Sequence, residues 1–463
     1  MKGLEMDNNV NVREFIDERP ISKHQYKILI LAFLVVAFDG LDVTVMGLIA
    51  PEIIRTWGIT KTEMGGVLSS VFFGMAIGAV VAGPIGDRYG RKLVVVSSVF
   101  WFGIMTVASA LAPNVTTLLI LRALTGLGLG AAIPAAIALV AEYAPRRRCS
   151  LFVTICFSGY TAGGTLSGLM AAWLISNYGW HAALAVAGIL PTLFAIVLVV
   201  RLPESVAFLA LKQKIAAIPA ILHKIDPGAA FAADTRFYLP VMSDEEDKSF
   251  KALLSPRYAG TAAMLSLAYF MAVLTTYIIA GWLPVISREA GFGVAQGSII
   301  ASMFNVAGPV GAIIFGAAMD RVSPQRLLVI TFSIAGILLA CVGFTPLEFV
   351  KICLMMLVLG FFFHGSLAGL QALAPQSFPT SIRATGVSTM HAVGRVGAIM
   401  SGILGGAFLA RGWDFSTIFV SLAVPMLISA AAIAVIGVRL SWKVAVAAGP
   451  PVKLDHSKSR LAT

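Results

Sequence analysis

Long apolar runs, each bounded by charged residues, glycine or proline, fill the chain from Tyr26 onward. A helix rises 1.5 Å per residue, so about 20 apolar residues cross the roughly 30 Å hydrocarbon core of a bilayer. Windows of that length predict twelve spanning helices, near 26–50, 64–85, 93–112, 116–140, 151–175, 182–200, 259–283, 295–319, 326–344, 350–373, 385–409 and 415–438. The chain's opening is polar and of mixed charge, and the run after it is too long for a signal-peptide core of about 7–15 residues, so no cleavage is expected.

One long polar interruption, Arg201 to Arg257, breaks the series. The expected organisation is an N-terminal segment (1–25), a six-helix bundle (26–200), a central loop (201–257), a second six-helix bundle (258–438) and a C-terminal tail (439–463). With its acidic run Asp244 to Asp247, the loop is expected to be a solvated connector rather than a domain.

Composition agrees with this solvent. With 58% hydrophobic and 12% charged residues, the apolar surface exceeds what one soluble core hides. The net charge of +11 is a topology signal, because nucleic-acid binding would need the basic residues gathered on one soluble face. With the N-terminus placed in the cytoplasm, only Arg55, Lys61, Arg288, Lys351 and Arg411 of the 34 Lys and Arg fall in outer connections. Both termini are therefore expected inside. The four cysteines lack metal-ligand spacing and read as packing residues.

Charges within the spans are few. Asp39 and Asp42 lie in the first, at a depth where a carboxylate costs several kcal/mol, and their i, i+3 spacing puts them on one helix face. Reversible protonation at such a pair suits proton coupling. Arg122, in the fourth span before Gly126, Gly128 and Gly130, cannot shed its charge and needs an anionic or carbonyl partner. Either a salt bridge to Asp39 or Asp42, or contact with a substrate carboxylate, meets that need. Arg395 and His391, one turn apart in the eleventh span, are expected on a cavity wall of the second half. His364 and His181 read as hydrogen-bonded packing residues. Glu142, at the inner end of the fourth span, is a candidate proton-coupling, gate or salt-bridge acid. Tyr277 and Phe304 are nominated as ring contacts for an aryl substrate, and Trp282 as an interfacial anchor.

The halves echo one another: Gly83-Pro-Ile-Gly-Asp87-Arg88 returns half the chain later as Gly316-Ala-Ala-Met-Asp320-Arg321, and Pro145 to Arg148 is loosely matched by Pro379 to Arg383. Duplicated six-helix halves around a midplane site are the architecture of a secondary transporter. An acid beside several arginines at an inner helix end, as at Asp87, Arg88 and Arg91, is well placed for a breakable ion pair.

Gly83-x-x-x-Asp87-Arg88-x-Gly90-Arg91-Lys92, Arg122-x-x-x-Gly126-x-Gly128-x-Gly130 and Leu202-Pro203-Glu204-Ser205 together resemble the loop and helix signatures of the major facilitator superfamily, over nearly the whole chain. Asp39-Gly40-Leu41-Asp42 resembles the DGxD-type signature of its aromatic acid:proton symporter family. The resemblance implies an all-α fold of twelve helices in two bundles, import of benzoate-like aryl carboxylates with protons across a bacterial inner membrane, and a monomer. It also implies that Asp87 pairs across the halves to hold the inner side closed, with Gly83, Arg88, Arg91, Asp320, Arg321 and Arg383 in the gating set. Where drug antiporters of the superfamily carry Gly-Pro in the fifth span, this chain has Gly163-Gly164, which favours symport.

Zinc-pair, nucleophile-elbow and phosphate-loop motifs are missing from the sequence, so an enzyme is disfavoured and no cofactor or metal is expected. Import of a non-aromatic acid such as muconate or a sugar acid, and a non-transporting sensor on the same fold, stand as alternatives.

Overall fold

The computed structural model describes residues 9–211, 218–229, 231, 235–238, 249–319, 321–379 and 382–447. Among these, twelve helices are long and apolar enough to span a bilayer. We label them α1 (Lys23–Trp57), α2 (Lys61–Tyr89), α3 (Arg91–Ala110), α4 (Val115–Tyr143), α5 (Cys149–Tyr178), α6 (Trp180–Arg201), α7 (Ala259–Glu289), α8 (Val294–Met319), α9 (Pro324–Phe344), α10 (Phe349–Gln376), α11 (Arg383–Ala410) and α12 (Phe415–Ala447). The protein is a multi-pass, all-α membrane protein.

Local signals set the helix ends. Ser22 and Gln25 form a reciprocal capping box that starts α1 ahead of its apolar run, and Gly58 ends the helix in the left-handed region at φ 64°. α1 therefore extends beyond the expected 26–50 at both ends. Thr60 and Glu63 cap α2 in the same way. The eighth span is not the single helix expected over 295–319: it breaks between Val306 and Gly308. Pro309 has no N–H to continue the ladder, which is the physical reason for the break.

In the first bundle α1 packs on α5, and α4 on α2 and α3; in the second, α7 packs on α11, α8 on α10 and α9 on α12. The bundles meet along α2/α11, α5/α8 and α1/α7. Small residues allow the backbones to approach. A Cβ on Gly163 would overlap the Ala37 carbonyl of α1, and one on Gly126 would overlap the Val71 carbonyl of α2. Exposed side chains such as Val80, Val200, Leu193 and Ile196 form the surface that lipid covers. Trp282 is a correction: it is fully buried between the bundles, its indole against Gly405 and beside Gly65, because glycines on α11 and α2 leave a slot for it.

The N-terminal segment and the central connection lie at one end, here the tail face. They are packed together where described. Asn9–Asn11 pairs in parallel with Arg236–Tyr238, the rings of Phe15 and Phe237 both flank Phe231, Arg19 pairs with Asp226 at 2.6 Å, and Ile218, Ile221, Leu222 and Ile225 are buried.

The two ends of the bundles differ. At the far face, Glu52 of α1 accepts from Arg288 of α7 at 2.8 Å and from Arg55, while Lys61 of α2 pairs with Glu289 and donates to the Leu409 carbonyl. At the tail face, Gly83 and Gly316 border open space, and Ile85, Asp87, Arg88 and Tyr89 are exposed. Ion pairs thus join the halves at the far face, while the tail-face end of α2 is exposed.

Candidate functional site

The centre of the first bundle holds a closed polar triad. Arg122 of α4 donates to both carboxylate oxygens of Asp42, from Nη2 at 2.6 Å and from Nη1 at 3.2 Å. Thr106 of α3 donates to Asp42 Oδ1 at 2.5 Å. All three residues are 0% exposed. The bidentate fork is the strongest geometry available to an Arg–carboxylate pair, and a buried pair depends on such completeness. Of the two roles open to Arg122, the geometry supports the salt bridge, and its partner is Asp42. The expected substrate contact is not made available here, because both forks of the guanidinium are taken; among the described residues Nε has no partner.

Asp39 stands apart from this triad. It is also 0% exposed, yet both carboxyl oxygens are buried without a hydrogen-bond partner among the described residues. Its charged neighbours are Asp42 and Arg395, and the hydroxyls of Tyr160 on α5 and Tyr277 on α7 lie nearby. The fold therefore splits the two aspartates, one saturated by Arg122 and Thr106, the other left without a partner at the bundle interface.

Arg395 belongs to the second bundle but is held by the first: its Nη1 donates to the Met75 carbonyl of α2 at 3.0 Å. It is half-buried. His391 lies one turn away, edge-on to Tyr269 with ring centroids 4.9 Å apart, and Tyr269 Oη accepts from Gln371 Nε2 at 3.2 Å. Tyr277 is half-buried with its ring 4.3 Å from Phe72 across the interface. The structure thus brings Asp39, Tyr277, His391 and Arg395 to one region. Phe304 is not presented to it as expected: it is 1% exposed, packed against Phe363 and His364, because its backbone forms the contact with Gly360 that seats α8 on α10.

Glu142 lies far from these groups, twenty residues along α4 from Arg122, or about 30 Å at helical rise. It pairs with Arg91 at 2.5 Å and accepts from Ser205 Oγ at 2.5 Å. Glu204 accepts from the Lys92 backbone N–H at 3.0 Å, and Tyr143 donates to the Glu204 carbonyl at 2.6 Å. Two sequence signatures, Gly83 to Lys92 and Leu202 to Ser205, thus converge with Glu142 on one tail-face cluster of the first bundle. Asp87 makes no ion pair among the described residues; Arg88 lies over the Tyr89 ring at 5.2 Å, and Arg321 and Arg383 are exposed. Asp320 lies outside the described residues.

Sequence reasoning missed Thr106, the Met75 carbonyl, Gln371 and the far-face latch. A single threonine or glutamine carries no signal of its own. Arg288 and Lys61 were legible only as outer charges, since their acids, Glu52 and Glu289, come from other elements or from helix ends.

The family model described as Major Facilitator Superfamily matches residues 32–259 and 265–456. The chain is 41% identical over 429 residues to the gallate transporter of Pseudomonas putida, covering 92% of this chain and 95% of that protein. It is 38% identical over 426 residues to the 4-hydroxybenzoate transporter PcaK of Pseudomonas aeruginosa, with 92% and 95% covered. A crystal structure of a D-xylose-proton symporter shares the fold, with TM-score 0.65 at 16% identity over 88% of this chain and 97% of that one. The chain belongs to the major facilitator superfamily, within the family of transporters that holds these two relatives.

Proposed function

We propose that the protein is a symporter that carries a small aromatic carboxylate, of the benzoate or hydroxybenzoate type, together with protons across a bacterial inner membrane. The observation that carries this reading is the division of labour between the acids: Asp42 saturated by Arg122 and Thr106, Asp39 buried without a partner beside Arg395. A lone charge there costs several kcal/mol, so Asp39 holds its proton while buried and yields it when water reaches it. The substrate carboxylate replaces the Met75 carbonyl on Arg395 as the bundles move, an exchange of a neutral acceptor for a charged one. Tyr277, Phe72 and His391 supply ring surfaces around it.

The bias of Lys and Arg toward the tail face supports a cytoplasmic tail face, which makes this conformation inward-facing. In the opposite state the tail-face ends close: the bare Gly83 admits the second bundle, and Asp87 meets a cation of that bundle, with Arg321 and Arg383 at its rim. Glu142 and Arg91 hold the α2–α3 turn to α4 within the first bundle throughout, so Glu142 braces the gating end of that bundle and stands off the proton route. Accumulation of labelled 4-hydroxybenzoate in proteoliposomes under an imposed pH gradient tests the reading. Accumulation should collapse with a protonophore; uptake indifferent to the gradient would remove the coupling.

A further inference from the structure

His364 is a buried polar group that the reading above does not use. It is 8% exposed, and its Nε2 is buried with no hydrogen-bond partner among the described residues. An orphaned ring nitrogen costs free energy that a structural histidine would recover by bonding. Its described neighbours are the Phe304 ring at 4.7 Å, Phe363 and Gly308, with Thr161 on the far side of that glycine.

The position matches the substrate level. His364 lies twelve residues from the tail-face end of α10 at Gln376, and Arg395 twelve residues from the tail-face end of α11 at Arg383; both therefore sit about 18 Å in along their helices. α10 packs on α8 and α9, and it reaches the Arg395 region through Gln371, two turns from His364 on the same helix face, which donates to Tyr269 beside His391. The break in α8 falls beside His364: a Cβ on Gly308 would meet the imidazole at 3.2 Å and the Thr161 methyl at 3.1 Å, so glycine lets α8 pack this closely on the ring. Interrupted helices at mid-depth are where carriers of this kind build their sites.

We propose that His364 reads a ring hydroxyl on the transported aromatic acid, so that the site selects hydroxylated over unsubstituted rings. The inference rests on the aromatic-acid reading. With the substrate carboxylate on Arg395, this assignment places the ring hydroxyl toward α10. The imidazole exchanges one hydrogen bond with a phenolic hydroxyl, as donor or acceptor according to its tautomer. An unsubstituted ring leaves the nitrogen unpaired, and this is how a site built to bond a hydroxyl rejects the analogue lacking it.

The test is equilibrium binding of benzoate and 4-hydroxybenzoate to the purified full chain and to His364→Leu and His364→Gln. The unaltered protein should prefer 4-hydroxybenzoate by about tenfold, the ratio that 1.4 kcal/mol of differential binding produces. His364→Leu should abolish the preference by weakening 4-hydroxybenzoate alone, with benzoate held within about twofold. His364→Gln, which keeps a donor and an acceptor, should retain most of it. Equal weakening of both acids in His364→Leu, or no preference in the unaltered protein, would overturn the assignment. If His364→Leu does not fold, loss of the preference in a well-folded His364→Gln overturns it and retention supports it. Binding of neither acid by the unaltered protein would defeat the aromatic-acid reading and this assignment with it.

Discussion

Arg395 of the second bundle donates to the backbone carbonyl of Met75 in the first, at 3.0 Å, so the cation nominated for the substrate is spanning the interface that must slide. Replacing it by alanine removes the charged partner of the substrate carboxylate. We expect Arg395→Ala to lose at least about thirtyfold in affinity for 4-hydroxybenzoate, as for truncation of one member of a hydrogen-bonded charge pair at about 2–5 kcal/mol. Competition binding on the purified protein checks this, and unchanged affinity would take Arg395 out of the site.

The two aspartates should separate experimentally. Asp39→Asn is expected to retain substrate exchange across the membrane without a gradient while losing pH-driven accumulation, since it keeps the shape and removes the titrating group. Counterflow and gradient-driven uptake, measured side by side, decide it; accumulation at the unaltered level would show the proton travels elsewhere.

For Asp42 the expected loss is structural. Asp42→Asn strands the buried Arg122 guanidinium, and removal of one partner of a buried ion pair costs about 3–5 kcal/mol. The melting temperature should fall, and Arg122→Gln added to Asp42→Asn should recover part of the loss, because the second change removes the stranded charge. An additive further drop would mean the pair is not coupled.

The far-face latch sets the balance of conformations. Glu52 binds Arg288 across the bundles at 2.8 Å and Arg55 on its own helix. Both arginines are partly exposed, which limits the contribution of each contact to about 1 kcal/mol, a shift of about fivefold in populations. Glu52→Gln should raise the far-face-open population by that factor, read as a longer distance between spin labels at Thr56→Cys and Ala290→Cys. An unchanged distance distribution would make the latch incidental.

On the tail face, the Arg19 side chain and the Gly228 backbone N–H hold the Asp226 carboxyl below its usual range. A lowered folded-state value means the contact stabilises at every pH above the unfolded value, about 3.9, and is lost as pH falls through the folded one. Proteolytic cleavage of the central connection should therefore be constant from neutral pH to about 5 and rise only in stronger acid. Asp226→Asn should show the raised rate at neutral pH.

Much of the architecture was legible because a bilayer is a simple solvent. Twelve apolar runs, the basic bias of one side and the echo of Gly83–Arg88 in Gly316–Arg321 require no tertiary knowledge, since hydrocarbon thickness and charge cost act on each span separately. Helix boundaries slipped where caps outran hydropathy, as at Ser22 and Gly58 of α1, and where Pro309 divided α8.

By itself the chain determined its solvent, its two-bundle division and the short set of residues whose charge needs explaining. Only the tertiary structure decided that Arg122 belongs to Asp42 and not to Asp39, that Arg395 rests on Met75, that Phe304 and Trp282 are buried, and that Glu52 meets Arg288. The reason is physical: burial cost is set by a residue's own span, whereas a partner comes from whichever helix packs alongside, and close approach at glycines such as Gly163 and Gly126 makes that choice.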